Sequence, residues 1–136
     1  MAPTSLIDCR VELNSVVISA SVKKATVPFE AEQLDTTTFG GGGWKSSIGG
    51  LKSNSVGLDL VNDFAAAALD ATTFALLNTV VAMKVRPTSS AISTSNPEYA
   101  GNVLVNKWVP FDTQVGALAE ASVQWPGTAA WLRNTT

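Results

Sequence analysis

Histidine is absent from this 136-residue chain, and cysteine occurs once, at Cys9. The first absence removes the commonest general base, the usual zinc ligand and every serine–histidine or cysteine–histidine nucleophile. The second excludes an intrachain disulfide, so no extracellular staple framework holds the fold. Charge is also scarce, with Asp, Glu, Lys and Arg at 15% of residues against 46% hydrophobic. Low charge favours a protein that buries surface in an assembly over a monomer that must stay soluble alone. The net charge of −2 leaves no basic footprint for gripping nucleic acid. No run approaches the roughly 18 apolar residues that span a bilayer. The opening MAPTSLIDCR has neither the basic start nor the apolar run of a signal peptide. The expectation is one domain, 1–136, made and used without classical export and without a membrane partner.

What is present is concentrated in one place. Asp35 to Leu51, DTTTFGGGGWKSSIGGL, holds six of the ten glycines together with Phe39 and Trp44. Gly40, Gly41, Gly42 and Gly43 in succession resist a helix or strand interior, because glycine loses the most backbone freedom on ordering. A segment this long and irregular inside a small domain is either a mobile tail or something that a partner orders. GGGGWKSS is not a phosphate loop: Trp44, not glycine, precedes Lys45, and no helix follows to aim its N-terminus at a phosphate. No nucleotide or other cofactor is expected.

Around this segment the chain alternates as strands do. Ile7, Cys9, Val11 and Leu13 share one face, with Asp8, Arg10 and Glu12 on the other. Asn14-Ser15 fits a two-residue hairpin turn that sets Leu13 opposite Val16, after which Val16, Ile18, Ala20 and Val22 continue the apolar face. Pro28 closes this region, and a polar segment, Glu30 to Thr38, leads into the glycines. Pattern resumes at Ser55, with Val56, Leu58 and Leu60 inward and Ser55, Gly57 and Asp59 outward. Asp70 as N-cap, a Leu69–Phe74 staple and the spacing of Phe74, Leu77 and Val81 predict a short helix. Val80 to Arg86 reads as a strand stopped by Pro87, and Ser89 to Asn96 as a loop. Two more strands are predicted, Asn102 to Phe111 and Ala117 to Trp125. In the latter Ala117, Ala119, Ala121, Val123 and Trp125 oppose Leu118, Glu120, Ser122 and Gln124. About six strands and one helix, with no internal repeat, predict a mainly β protein. The expected form is an antiparallel β-sandwich or barrel-like fold with one short flanking α-helix and a long glycine-rich assembly loop.

Candidate chemistry is thin. Cys9 on an apolar face is a small buried hydrophobe, and nothing isolates two carboxylates as an acid–base pair, so no catalytic or metal-binding residue is assigned. Trp108 and Trp125 read as core or subunit-contact residues and Trp131 as packing for the C-terminal tail, although four tryptophans on a β scaffold can also form a carbohydrate-stacking platform. Trp44, beside four glycines, has little of its own domain to pack against. It reads as an anchor into a neighbour.

Three segments carry a family resemblance: LDTTTFGGGGWKSSIGGLKSNSVGLDLVNDF (Leu34 to Phe64), LDATTFALLNTVVAMKVRP (Leu69 to Pro87), and NPEYAGNVLVNKWVPFD followed by ALAEASVQWPGTAAWLR. The threonine-rich approach to a glycine loop, the IGGLK entry to a strand, the helix after Asp-Ala-Thr and the closing strand ending in Trp-Pro occur here in order over nearly the whole chain. In this the chain resembles the major tail protein, the tail tube subunit, of long non-contractile-tailed bacteriophages. The resemblance implies a self-assembling structural protein of the virion tail, assembled in the bacterial host cytoplasm. Homohexameric rings would join their sheets and stack into a tube that conducts double-stranded DNA without specific binding. It further implies contacts with tape measure, tail tip and terminator proteins, and an inter-subunit loop comprising Asp35, Phe39, Gly40, Gly41, Gly42, Gly43, Trp44, Ile48 and Leu51. In that family the lumen is acidic or neutral, and Asp59 and Glu120, on polar strand faces, are the candidate lumen acids.

Elementary physics points the same way. Inter-subunit sheet closure removes exposed strand edges, and a basic lumen would hold phosphate rather than pass it. An arm that orders only on assembly would cost about 1–2 kcal/mol per residue fixed, which makes polymerisation controllable. Competing expectations are a β-sandwich module that binds carbohydrate or a receptor, and a single-ring tail terminator or tail-tip protein. An enzyme is not expected.

Overall fold

The computed structural model describes residues 3, 5–65 and 68–136. Two antiparallel sheets enclose the core. The first runs in the order β2 (Val16–Val17), β1 (Arg10–Leu13), β6 (Val80–Arg86), β7 (Glu98–Leu104), β9 (Leu132–Asn134). The second is built on β5 (Ser47–Val61), flanked by β3 (Val22–Thr26), β4 (Phe29–Asp35) and β8 (Glu120–Pro126). One short helix, α1 (Leu69–Ala75), joins β5 to β6. The fold is mainly β, as the alternation predicts.

Period-two patterning decides which side chains meet. Val11, Leu13, Val81, Met83 and Val103 of the first sheet face Val56, Leu58, Leu60, Val123 and Trp125 of the second, all buried. Full burial of a side chain of this size stabilises by about 1.5–3 kcal/mol. Trp125 is completely enclosed, and its indole N–H donates to the Lys107 carbonyl at 2.8 Å, so the largest core residue leaves no polar atom unpaired.

The Asn14-Ser15 turn forms as expected, both residues adopting positive φ (51° and 66°) and Leu13 pairing with Val16. The strand after it does not continue. Val16 and Val17 are exposed, Ser19–Ser21 forms a single 3-10 turn, and the chain crosses to the second sheet at β3. The Ser19 hydroxyl accepts the Val11 N–H at 2.8 Å, and of the expected apolar face only Ile18 is fully buried.

Elsewhere a strand lasts as long as its partner does. β1 starts at Arg10, not Ile7, because its last partner on β6 is Arg86 and Pro87 follows; Ile7 is left exposed. β7 ends at Leu104, not Phe111, because Val80 is the first residue of β6. β8 starts at Glu120, not Ala117, because β5 ends at Val61. The helix also differs in detail. Ala68 is its N-cap, Leu69 and Thr73 are its buried residues, and Phe74 and Leu77 are exposed. Asp70 does not cap because the helix begins one residue before it, and from the first turn its carboxylate accepts the Trp108 indole N–H at 2.9 Å. β4, β9 and the division of the second expected strand into β2 and β3 bring the described strands to nine rather than six.

On the outer face of the first sheet, the Arg10 guanidinium donates to Glu12 at 2.6 Å. That hydrogen bond holds the Glu12 carboxyl below the usual carboxylate range against the opposing effect of burial, with Lys84 and Arg86 adding to it. The folded state therefore binds this proton more weakly than the unfolded chain. The resulting stability is present above the unfolded pKa and lost as pH falls through the folded one. Glu12→Gln should flatten the loss of stability on acidification between about pH 5 and pH 2, read by urea denaturation at each pH. An unchanged slope would show that this carboxylate contributes nothing.

Candidate assembly arm and its anchors

β3 and β4 lie along one edge of β5 in a shared register, Thr26 opposite Gly57 and Phe29 opposite Asn54, with Pro28 between them. β8 takes the other edge but stops at the Ser55–Pro126 pair. Beyond Asn54 the β4–β5 hairpin therefore continues without a third strand, and from Phe29 to Ser53 nearly every residue is exposed on both faces. The expectation of an irregular segment over Asp35 to Leu51 is corrected here. Asp35 closes β4, Ser47 to Leu51 open β5, Asp35 pairs with Ser47 and Leu34 with Ile48. The chain pairs with itself over this stretch, so its order does not wait for a neighbour.

The tip is fastened by short-range polar contacts. Thr36 N–H donates to the Ser46 carbonyl at 3.0 Å, and the Thr37 hydroxyl accepts the Ser46 N–H at 2.9 Å. The Asp35 carboxylate accepts the Thr37 N–H at 2.9 Å, and its hydrogen bonds with Thr37 hold the carboxyl below its ordinary pKa. Gly42 and Gly43 turn the chain with φ of 65° and 90°, a region that side chains with a Cβ avoid. Phe39 is fully exposed and Trp44 is 81% exposed. Leu34 and Ile48, directly paired, share one face, while Gln33 donates to the Ser47 hydroxyl at 3.0 Å on the other.

The root of the arm is held by aromatic packing. The Phe29 ring lies 5.8 Å from Tyr99 and 6.1 Å, edge on, from Trp131. Trp131 lies over Gly101, where a Cβ would run into the indole, and Gly127 donates its N–H to the Asn54 carbonyl at 2.9 Å. Of the four tryptophans, Trp108, Trp125 and Trp131 thus serve the fold, each with its indole N–H bonded.

Asp59 and Glu120 share the outer face of the second sheet as diagonal neighbours. Asp59 accepts from Ser122 at 2.7 Å, and Glu120 pairs with Lys23 at 2.7 Å. Cys9 is half-buried against the core, its thiol pushed up by burial and by Asp8. Among the described residues no group of His, Cys, Asp and Glu is placed to hold a metal ion, and no helix is long and apolar enough to cross a membrane. One feature has no signal in the sequence. At the opposite end of β5 from the arm, Phe64 stacks on Phe111 with centroids 5.2 Å apart and planes at 19°, both rings exposed.

No family model and no curated protein matches the sequence. Among solved structures, the chain is similar to one in the virion of a native gene transfer agent particle, with TM-score 0.76 and 16% identity over 97% of this chain and 99% of that one. It is also similar to a chain in the tail of an empty gene transfer agent particle, refined with C6 symmetry, with TM-score 0.68, 15% identity and 93% of each chain covered. This chain has the fold of those particle proteins. At such identities the likeness carries the fold and no residue roles.

Because Phe39 and Trp44 are so exposed, Phe39→Ala and Trp44→Ala should each change the unfolding free energy of the isolated chain by less than about 0.5 kcal/mol. A substantially larger loss in chemical denaturation would mean that these rings pack within their own subunit.

Proposed function

We propose that this protein is a structural subunit of a virion tail that self-assembles into six-membered rings, and that the rings stack into a tube for genome passage. The observation that carries the reading is the projecting β4–β5 hairpin, which presents Leu34, Phe39, Trp44, Ile48 and Leu51 to water. Large rigid aromatics held out on a self-paired arm suit a contact with another subunit. The fold likeness to chains of the gene transfer agent virion and its C6-symmetric tail supports the same reading. So do β2 and β9, the edge strands of the first sheet among the described residues, which neighbouring copies would complete.

In this reading the protein has no catalytic step and no cofactor. Its partners are copies of itself, the tape measure, tail-tip and terminator proteins, and double-stranded DNA that passes without being gripped. Assembly takes place in the host cytoplasm and the product resides in the virion.

Negative-stain electron microscopy of the purified chain, with sizing alongside, tests this directly. Uniform tubes or stacked six-fold rings are expected at high concentration, and deletion of Gly40 to Gly43 or Trp44→Ala should abolish them. Discrete single rings would favour a terminator or tip protein. A strict monomer whose tryptophan fluorescence responds to sugars would favour a binding module.

Asp59 and Glu120 are the proposed lumen acids. The region around them already carries Lys23 beside Glu120 and Lys24 opposite Asp59, so its net charge is close to neutral and easily reversed. Replacing both acids by lysine should slow DNA ejection from assembled particles, because cationic side chains along the path attract phosphate. Unchanged ejection kinetics in the double variant would remove them from the lumen.

A further inference from the structure

The two ends of β5 carry unlike surfaces. At one end is the arm tip. At the other, Asn62 donates its backbone N–H to the Ala119 carbonyl at 2.9 Å and its side-chain amide to the Pro110 carbonyl at 3.0 Å, which draws the 109–119 segment against the end of the strand. Phe111 is thereby set on Phe64, and the stack stands in water with the two rings 72% and 48% exposed. Fifteen strand residues separate the ends by about 50 Å, so the tip of one chain does not reach its own stack.

Charge distinguishes the two surfaces. The tip carries Lys45 directly after Trp44, with the exposed Asp35 carboxylate that fastens it at its base. The stack is flanked by Asp63 and Asp112, each adjacent to one of its phenylalanines, and neither 54–83 nor 108–132 contains a Lys or Arg. Pairing stack with stack would set four carboxylates together, which disfavours a two-fold contact at that end. Tip against stack matches aromatic to aromatic and cation to carboxylate.

We infer that the Phe64–Phe111 stack is the seat for the arm tip of a second copy of this chain, with Lys45 of the incoming tip against Asp63 and Asp112. The contact is head-to-tail, so it can repeat from copy to copy, and set between rings rather than within one it would propagate a stack. It rests on the tube reading and assigns the surface that receives the arm in the next ring.

The test uses the whole chain in a Cys9→Ala background. Lys45→Cys and Asp112→Cys chains, mixed under mild oxidation, should give a covalent dimer containing one of each. Phe64→Ala with Phe111→Ala should raise the concentration needed for tubes about tenfold or more, since buried aromatic anchors dominate such contacts. Lys45→Asp should impair tubes, and combining it with Asp63→Lys and Asp112→Lys should restore them, which a misfolded variant cannot do. Tubes from the double alanine variant at the wild-type concentration, or tubes whose mixed cysteine chains never cross-link, would overturn this seat while leaving the tube reading intact. A wild-type chain that stays monomeric at every concentration would overturn the tube reading and the seat with it.

Discussion

β5 passes from a half that is buried, with Val56, Leu58 and Leu60 against the opposite sheet, into a half with water on both faces. The buried half is paired on both edges, by β3 over Gly57 to Leu60 and by β8 over Ser55 to Val61. That double pairing fixes the strand's direction and register before the arm begins. A two-stranded ribbon alone in water is marginal. Here it is the extension of a three-stranded sheet, and β4 inherits the register of β3 across Pro28. The aromatic cluster of Phe29, Tyr99 and Trp131 and the close approach of Gly127 to Asn54 brace the point where the third strand ends.

The same dependence on partners explains what the sequence disclosed and what it did not. Alternation is visible wherever one face is buried and the other wet. The inward faces of β1, β8 and the buried half of β5 could therefore be read residue by residue. Strand ends could not, because they are set by where a partner elsewhere in the chain stops. β4 was illegible for a different reason. With water on both sides, Phe29–Asp35 has no reason to alternate, and its glutamates looked like a loop. Asp70 misled because the acceptor that suits a helix cap also suits an indole N–H, and Trp108 lies 38 residues away. The Phe64–Phe111 stack joins two loops with no periodicity, so only the fold brings them together.

Of the candidate site, Trp44 and Phe39 were legible because a large ring among glycines has nothing local to cover it. The geometry that presents them was not. A chain poor in charge with rings on display faces an association hazard in solution, and four of its exposed rings fall in two pairs. Phe39 and Trp44 cluster at one end of β5, and Phe64 and Phe111 at the other.

If the arm meets a neighbouring copy as proposed, its flanks bear on which part of it makes the contact. A long exposed hairpin is a template for edge-to-edge pairing, yet this one is poorly suited to it. Glu30, Glu32 and Lys52 place charge along its strands, Gly49 and Gly50 weaken β5 locally, and the register shifts between Ala31 and Gln33. Each of these interrupts the regular ladder that another strand would need. Non-specific pairing along the sides is thereby discouraged, and the apolar tip is left as the stronger attachment point. Such a division suits a subunit that has to remain dispersed until a matching surface is presented. It also accounts for four glycines at a turn that two could make. A tip with little backbone preference of its own can adjust to the partner surface while the paired strands behind it hold their direction.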